Sequence, residues 1–273
     1  MTSIAMPKLK GIPQLGLGTY PLRGEDVIGA VSMALEIGLR HIDTAQMYGN
    51  EADVGTALRR SGLARSEIYV VTKVDPSNLG KAHFASSVAR SMDDLGGPAD
   101  LLLIHWPPSD DDFEATVDRL ITERARGMAN AIGVSNFSPS MLRRAQMVAG
   151  GSLICNQVEF HPLLDQSKLL AAARETGVAL AAYSPLARGK ALQPNVIQDI
   201  AIRLGRPASE IVLRWIIQQG VIAIPMTTKR ENALSNVAAL NFELSPEDMA
   251  AISALGTRDG RTINASWMAG RWD

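Results

Sequence analysis

The chain has 273 residues, 46% hydrophobic and 20% charged, a balance that excludes a disordered or fibrous protein and can fill a sizeable core. Its 27 Lys and Arg against 28 Asp and Glu leave a formal charge of -1, which gives no footprint for nucleic acid or an anionic membrane. The lone Cys155 rules out an internal disulfide, the start MTSIAMPKLKG lacks a secretory apolar run, and apolar stretches such as VALAAY at 178–183 fall far short of a membrane span, so a cytoplasmic protein is expected.

Taken in chain order, short strand-type runs alternate with amphipathic segments of helical period. A strand at 14–17 precedes a helix at 25–37, and a strand at 41–43 precedes a helix at 50–60. The pairs continue as 69–73 with 82–95, 101–105 with 113–126, 131–134 with 139–148, and 156–160 with 166–175. The last two strands, 179–183 and 221–224, precede helices at 208–219 and 230–238. Ser66, Ser138 and Ser245 sit where helix starts or turns are expected, and Gly38, Gly62, Gly127 and Gly220 follow helices as C-terminal caps. Eight strands, each with its helix, predict an α/β chain folded as a closed (β/α)8 TIM barrel. Helices at 195–204 and 246–255 are extra, and 256–273 reads as a tail over the body. No linker or repeat interrupts the rhythm, so 1–273 reads as one domain. An open doubly wound sheet is the competing fold, because GLGTYP begins a GxGxxG pattern at Gly16 and Gly18 with Asp43 as a ribose ligand; Pro21 in the third glycine's place weakens it.

In a barrel, chemistry gathers at the C-terminal strand ends. Asp43, Lys73 and His105 end three successive strands there, and Tyr48 follows in a loop. A tyrosine that exchanges protons near neutral pH needs a partner. Lys73 is expected to stabilise the phenolate and so lower the Tyr48 pKa, with Asp43 keeping the lysine charged and His105 bonding a carbonyl oxygen.

The stretch GLRHIDTAQMYGNEADVG at 38–55 resembles the signature of the aldo-keto reductases. IHWPP at 104–108, GVSNF at 133–137, NQVEFHP at 156–162 and IPMTTKRENALSN at 224–236 resemble further stretches of that family across almost the whole chain. TKR and the ending GRWD are most similar to the bacterial 2,5-diketo-D-gluconate reductase B branch. The resemblance implies hydride transfer from NADPH to an aldehyde or ketone, with Tyr48 as proton donor and Asp43, Lys73 and His105 tuning it. It implies Ser135, Asn136 and Gln157 on the carboxamide, Tyr183 beneath the nicotinamide, and Ser184, Leu186 and Arg188 on the pyrophosphate. Thr227, Thr228, Lys229, Arg230 and Asn236 would hold the adenosine end.

Two positions depart from the family pattern. Met226 and Asn232 stand where the clamp usually has cations, so Lys229 and Arg230 are expected to bind the 2'-phosphate instead. Asp75 replaces an aromatic pocket wall, which predicts a wider, more polar pocket bounded by Tyr20, Met47, Trp106 and Trp267. Methylglyoxal-like 2-oxoaldehydes and keto sugars such as 2,5-diketo-gluconate are the favoured substrates, and a monomer is expected. Two other readings compete: a Schiff-base aldolase built on Lys73, and a non-catalytic nicotinamide-nucleotide sensor. His41, His83 and His161 lack zinc spacing, so no metal is expected; Cys155 and Trp215 read as core, and SDDDFE at 109–114 as a helix start.

Overall fold

The computed structural model describes residues 6–268 and 270–272. A small antiparallel hairpin, β1 (Lys8–Leu9) and β2 (Ile12–Pro13), comes first. Then follow β3 (Leu17–Gly18), α1 (Gly24–Glu36), β4 (His41–Asp43), α2 (Glu51–Arg60), β5 (Tyr69–Val74), α3 (Phe84–Leu95), β6 (Ala99–Ile104) and α4 (Phe113–Ala125). The second half holds β7 (Ala129–Ser135), α5 (Pro139–Val148), β8 (Leu153–Glu159), α6 (Ser167–Thr176), β9 (Ala179–Tyr183), α7 (Asn195–Leu204), α8 (Ala208–Gln218), β10 (Val221–Ala223), α9 (Arg230–Ala238) and α10 (Pro246–Ser253).

Strands β3 to β10 pair in chain order, every pair parallel. The sheet closes on itself through a parallel bridge between Leu15 and Ala223, with Gly16 N donating to Ala223 O at 2.9 Å and Ala223 N to Gln14 O at 2.8 Å. This closure makes a (β/α)8 barrel and overturns the open doubly wound sheet. The GLG run serves packing instead of phosphate binding. A Cβ on Gly16 would lie 2.7 Å from the His41 ring, and Gly18 N donates to Pro225 O at the same seam. Ser138 and Ser245 are N-caps as expected, Ser245 Oγ accepting from Asp248 N at 3.1 Å. Ser66 lies in a 3-10 turn at Arg65–Glu67, in keeping with the turn expected there.

Alternation along the strands sorts side chains into two cores. Outward residues such as Ile42, Val70, Leu102, Ile132 and Leu180 pack under the helices. Inward ones, Val71, Leu101, Leu103, Cys155, Ala179, Ala181 and Ile222, fill the lumen, and Ile12 of the hairpin joins them. Two residues further along each strand, the same inward parity brings Lys73, His105, Gln157 and Tyr183 to the barrel mouth. His105 itself falls one residue past the end of β6.

Candidate active site

At that mouth, Asp43 ends β4 and faces Lys73 of β5. Lys73 is fully buried, and its Nζ donates to Asp43 Oδ1 at 2.6 Å, to the Thr44 carbonyl at 2.8 Å and to the Tyr48 hydroxyl at 3.3 Å. Tyr48 is carried by a 3-10 turn, Gln46–Tyr48, that Gly49 ends in the left-handed region with φ 64°. The His105 ring meets the Tyr48 ring edge-on with centroids 5.6 Å apart, so four of the expected residues share one space.

The electrostatics follow from burial. Burial disfavours the ammonium of Lys73, but Asp43 and Tyr48 outweigh it and hold the lysine pKa above the ordinary value. Burial also raises the Tyr48 pKa, and the opposing pull of Lys73 does not cancel it. The expected lowering of this tyrosine is therefore corrected: the phenol is held protonated. Burial, then Lys73, pushes His105 down to about 3, which keeps its imidazole neutral, and its buried Nδ1 has no hydrogen-bond partner among the described residues.

A second polar set adjoins the first. Gln157 Nε2 donates to Asp43 Oδ2 at 2.6 Å, and Ser135 Oγ donates to the Gln157 carbonyl at 2.8 Å. Asn136, at φ 63°, donates to the His105 carbonyl and accepts from the Tyr183 hydroxyl at 2.7 Å. Ser184, Ala187, Arg188 and Gly189 all have positive φ, so the chain after β9 is tightly coiled beside Leu186. Thr227 Oγ1 accepts from Lys229 N at 3.1 Å, Asn236 is buried, and Met226 and Thr228 are exposed. The exposed cations Arg188, Lys190, Lys229 and Arg230 lie on the loops and helix that follow β9 and β10, so this rim fits an anionic dinucleotide. Arg230 also pairs with Glu36 at 3.1 Å.

The pocket candidates divide. Tyr20 is exposed with its ring 5.1 Å from that of Tyr48, Met47 is exposed on the same turn, and buried Trp106 stacks beside His105 and meets Trp267 at 5.7 Å. Asp75 behaves differently from the expected wall. Its carboxylate caps its own 3-10 turn, accepting from Ser77 N at 2.8 Å and Ser77 Oγ at 2.7 Å. It borders a cleft of about 300 Å³ whose lining includes Gln46, Glu51, Arg90 and Asp94 but not Tyr48, His105 or Trp106.

Sequence reasoning missed three contributors. Gln46 ties the turn bearing Tyr48 to the β5 loop, its Oε1 accepting from Asp75 N at 2.9 Å and its Nε2 donating to Ser91. Trp272 comes within 6.5 Å of Trp106. Glu159, wholly buried at the end of β8, binds the tail; its signal was a carboxylate at an inward position of the apolar strand that carries Gln157. Among the other histidines, His41 and His161 are buried and His83 is exposed. Among the described residues no cluster of three or more His, Cys, Asp or Glu could hold a metal ion.

Residues 10–257 match the model of the Aldo/keto reductase family. The chain belongs to that family. This aldo/keto reductase is 40% identical over 266 residues to an Escherichia coli methylglyoxal reductase DkgB, covering 96% of this chain and 99% of that one. It is 40% identical over 268 residues to an aldo-keto reductase of Mycobacterium sp. strain KMS, covering 96% and 97%. A crystal structure assigned as a 2,5-diketo-D-gluconic acid reductase B superposes with TM-score 0.93 at 38% identity, covering 97% of this chain and 95% of that one. A Bombyx mori aldo-keto reductase in complex with NADP superposes with TM-score 0.87 at 30% identity, covering 95% and 94%. The aldo/keto reductase is thus an oxidoreductase that reduces carbonyl groups. No helix among its described residues is long and apolar enough to cross a membrane.

Proposed function

We propose that this aldo/keto reductase uses NADPH to reduce aldehydes and ketones to alcohols, with Tyr48 as the proton donor. The substrates are 2-oxoaldehydes such as methylglyoxal and keto sugars such as 2,5-diketo-gluconate, a reading supported by the relative named methylglyoxal reductase. The observation that carries the mechanism is the 3.3 Å contact between the Lys73 ammonium and the Tyr48 hydroxyl. The enzyme acts in the cytoplasm as a monomer of one barrel domain.

When bound, the nicotinamide supplies a hydride to the carbonyl carbon. Tyr48, held as a phenol, gives its proton to the carbonyl oxygen as negative charge builds there, and the Lys73 ammonium stabilises the phenolate left behind. Neutral His105 donates a hydrogen bond to the same oxygen and so polarises the carbonyl. Ser135, Asn136 and Gln157 hold the carboxamide, Tyr183 supports the ring, and Ser184, Leu186 and Arg188 take the pyrophosphate. Thr227, Thr228, Lys229, Arg230 and Asn236 hold the adenosine end, with Lys229 and Arg230 on the 2'-phosphate. Tyr20, Met47, Trp106 and Trp267 bound the substrate.

The aldolase reading fails on Lys73, because a Schiff base needs a neutral amine and this one is a buried ammonium with three acceptors. No specific observation favours the nucleotide sensor. The test is loss of reduced-nicotinamide absorbance with NADPH and, separately, NADH, on methylglyoxal and a panel of aldehydes and keto sugars. NADPH-driven turnover abolished in Tyr48→Phe is expected, whereas unimpaired turnover in that variant would sink the mechanism. Faster turnover with NADH would overturn the cofactor assignment alone.

A further inference from the structure

Glu159 is 0% exposed, yet its neighbours come from far along the chain. Oε1 accepts from His161 Nε2 at 3.0 Å, from Thr262 N at 2.7 Å and from Thr262 Oγ1. Oε2 accepts from Ile263 N at 3.1 Å and lies 3.6 Å from the Arg261 guanidinium. That guanidinium stacks 3.7 Å over the Trp272 ring, and Trp272 and Trp267 both meet Trp106. Arg271 donates to the Pro108 carbonyl at 2.9 Å, which fixes the far end. A small cavity of about 30 Å³, lined by Phe137, Ser138, Gln166, Leu169, Arg261 and Trp272, borders the stack.

We propose that Glu159 is a positioning residue for substrate selectivity. It clasps the segment that brings Trp267 and Trp272 onto Trp106, and thereby sets how large a carbonyl substituent the mouth accepts. This rests on the reductase reading. A carboxylate suits this role because every group facing it is a donor, and charge-assisted bonds are strong where water is excluded. Glu159→Gln turns one acceptor into a donor that faces Ile263 N and Arg261. Glu159 touches neither Tyr48 nor Lys73, so the proton transfer itself should stand.

The test compares methylglyoxal with phenylglyoxal in Glu159→Gln, Thr262→Val and Thr262→Ser, together with the rate of tryptic cleavage of the tail. In Glu159→Gln and Thr262→Val the KM ratio of the two substrates should shift by about tenfold, the size of one charge-assisted bond, while kcat for methylglyoxal holds within about twofold. Tail cleavage should be faster, and Thr262→Ser, which keeps the hydroxyl, should restore both. An unchanged KM ratio in a folded variant overturns the proposal, as does an equal fall in kcat for both substrates. If Glu159→Gln does not fold, Thr262→Val decides. A wild-type enzyme that reduces neither compound would sink the reductase reading instead, and the clasp would then stand or fall on tail cleavage.

Discussion

Gln157 and Lys73 divide one carboxylate: Asp43 accepts from Gln157 through Oδ2 and from Lys73 through Oδ1, each at 2.6 Å. The group proposed to hold the carboxamide is thus hard-wired to the group proposed to stabilise the Tyr48 phenolate. Gln157→Leu leaves a buried carboxylate oxygen without its donor, at a cost of ~1–3 kcal/mol. Nucleotide Kd should rise and kcat should fall together. Tyr48→Phe, by contrast, should lower kcat by about 10²–10⁴-fold with nucleotide Kd nearly unchanged. Fluorescence titration beside steady-state kinetics separates the two, and a Gln157→Leu effect on Kd alone would refute the wiring.

Removing Lys73 strands Asp43 as an unpaired charge in the barrel mouth. Lys73→Met should therefore destabilise the fold by about 3–5 kcal/mol as well as abolish turnover. A thermal melt followed by circular dichroism would show this as a clear drop in Tm. A variant with unchanged Tm and lost activity would mean that the pair serves catalysis without holding the fold.

Acid should loosen this protein earlier than its carboxylates alone would dictate. Burial lowers the pKa of His105 to about 3 and also lowers that of His41, whereas the unfolded chain has both near 6.5. Below about pH 6.5 the unfolded chain takes up protons that the fold refuses, so stability is full above that pH and falls as pH drops from about 6.5 toward 3. For Glu159, burial raises the pKa, but bonds from His161, Thr262 and Ile263 win and hold it low, which adds loss below the unfolded value of about 4.5. Urea midpoints between pH 8 and 4 check this, and a flat series down to pH 4 would contradict it.

The pairing of Arg230 with Glu36 bears on the cofactor. A 2'-phosphate bound by Arg230, as proposed, would share or displace that carboxylate, and an exposed pair of this kind is worth about 0–1 kcal/mol. Glu36→Gln should tighten NADPH a few-fold and leave NADH unchanged, while Arg230→Ala should weaken NADPH alone. Equal shifts for both nucleotides would place the effect outside the phosphate site.

Local sequence signals carried the strands and helices closely. Ser138 before Pro139 and Gly205 after Leu204 bound α5 and α7 where chain chemistry alone sets them. The hairpin at Lys8–Pro13 escaped notice because two-residue strands have no period to detect. That Asp43, Tyr48, Lys73 and His105 meet in one space was legible because barrel strand ends converge. The Asp75 carboxylate is taken up by a nearer donor in Ser77, a local bond that the spacing from Lys73 does not reveal. The direction of the Tyr48 shift depends on how deeply the ring is buried, which no motif encodes. Glu159 finds its partners about a hundred positions downstream, in a tail without regular pattern.

Ile12, in the hairpin beneath the barrel, packs in the lumen cluster with Ile222 and Ile224, which lie near the other end of the chain. The floor is thus synthesised before the barrel strands, but its counterpart β10 and the seam at Leu15–Ala223 arrive only after seven other barrel strands. Until then the hairpin has no complete cylinder to plug, and water retains access to the lumen. Cooperative closure at the final strand makes the nascent barrel's interior the last region to dry, and a slow, non-local step of folding.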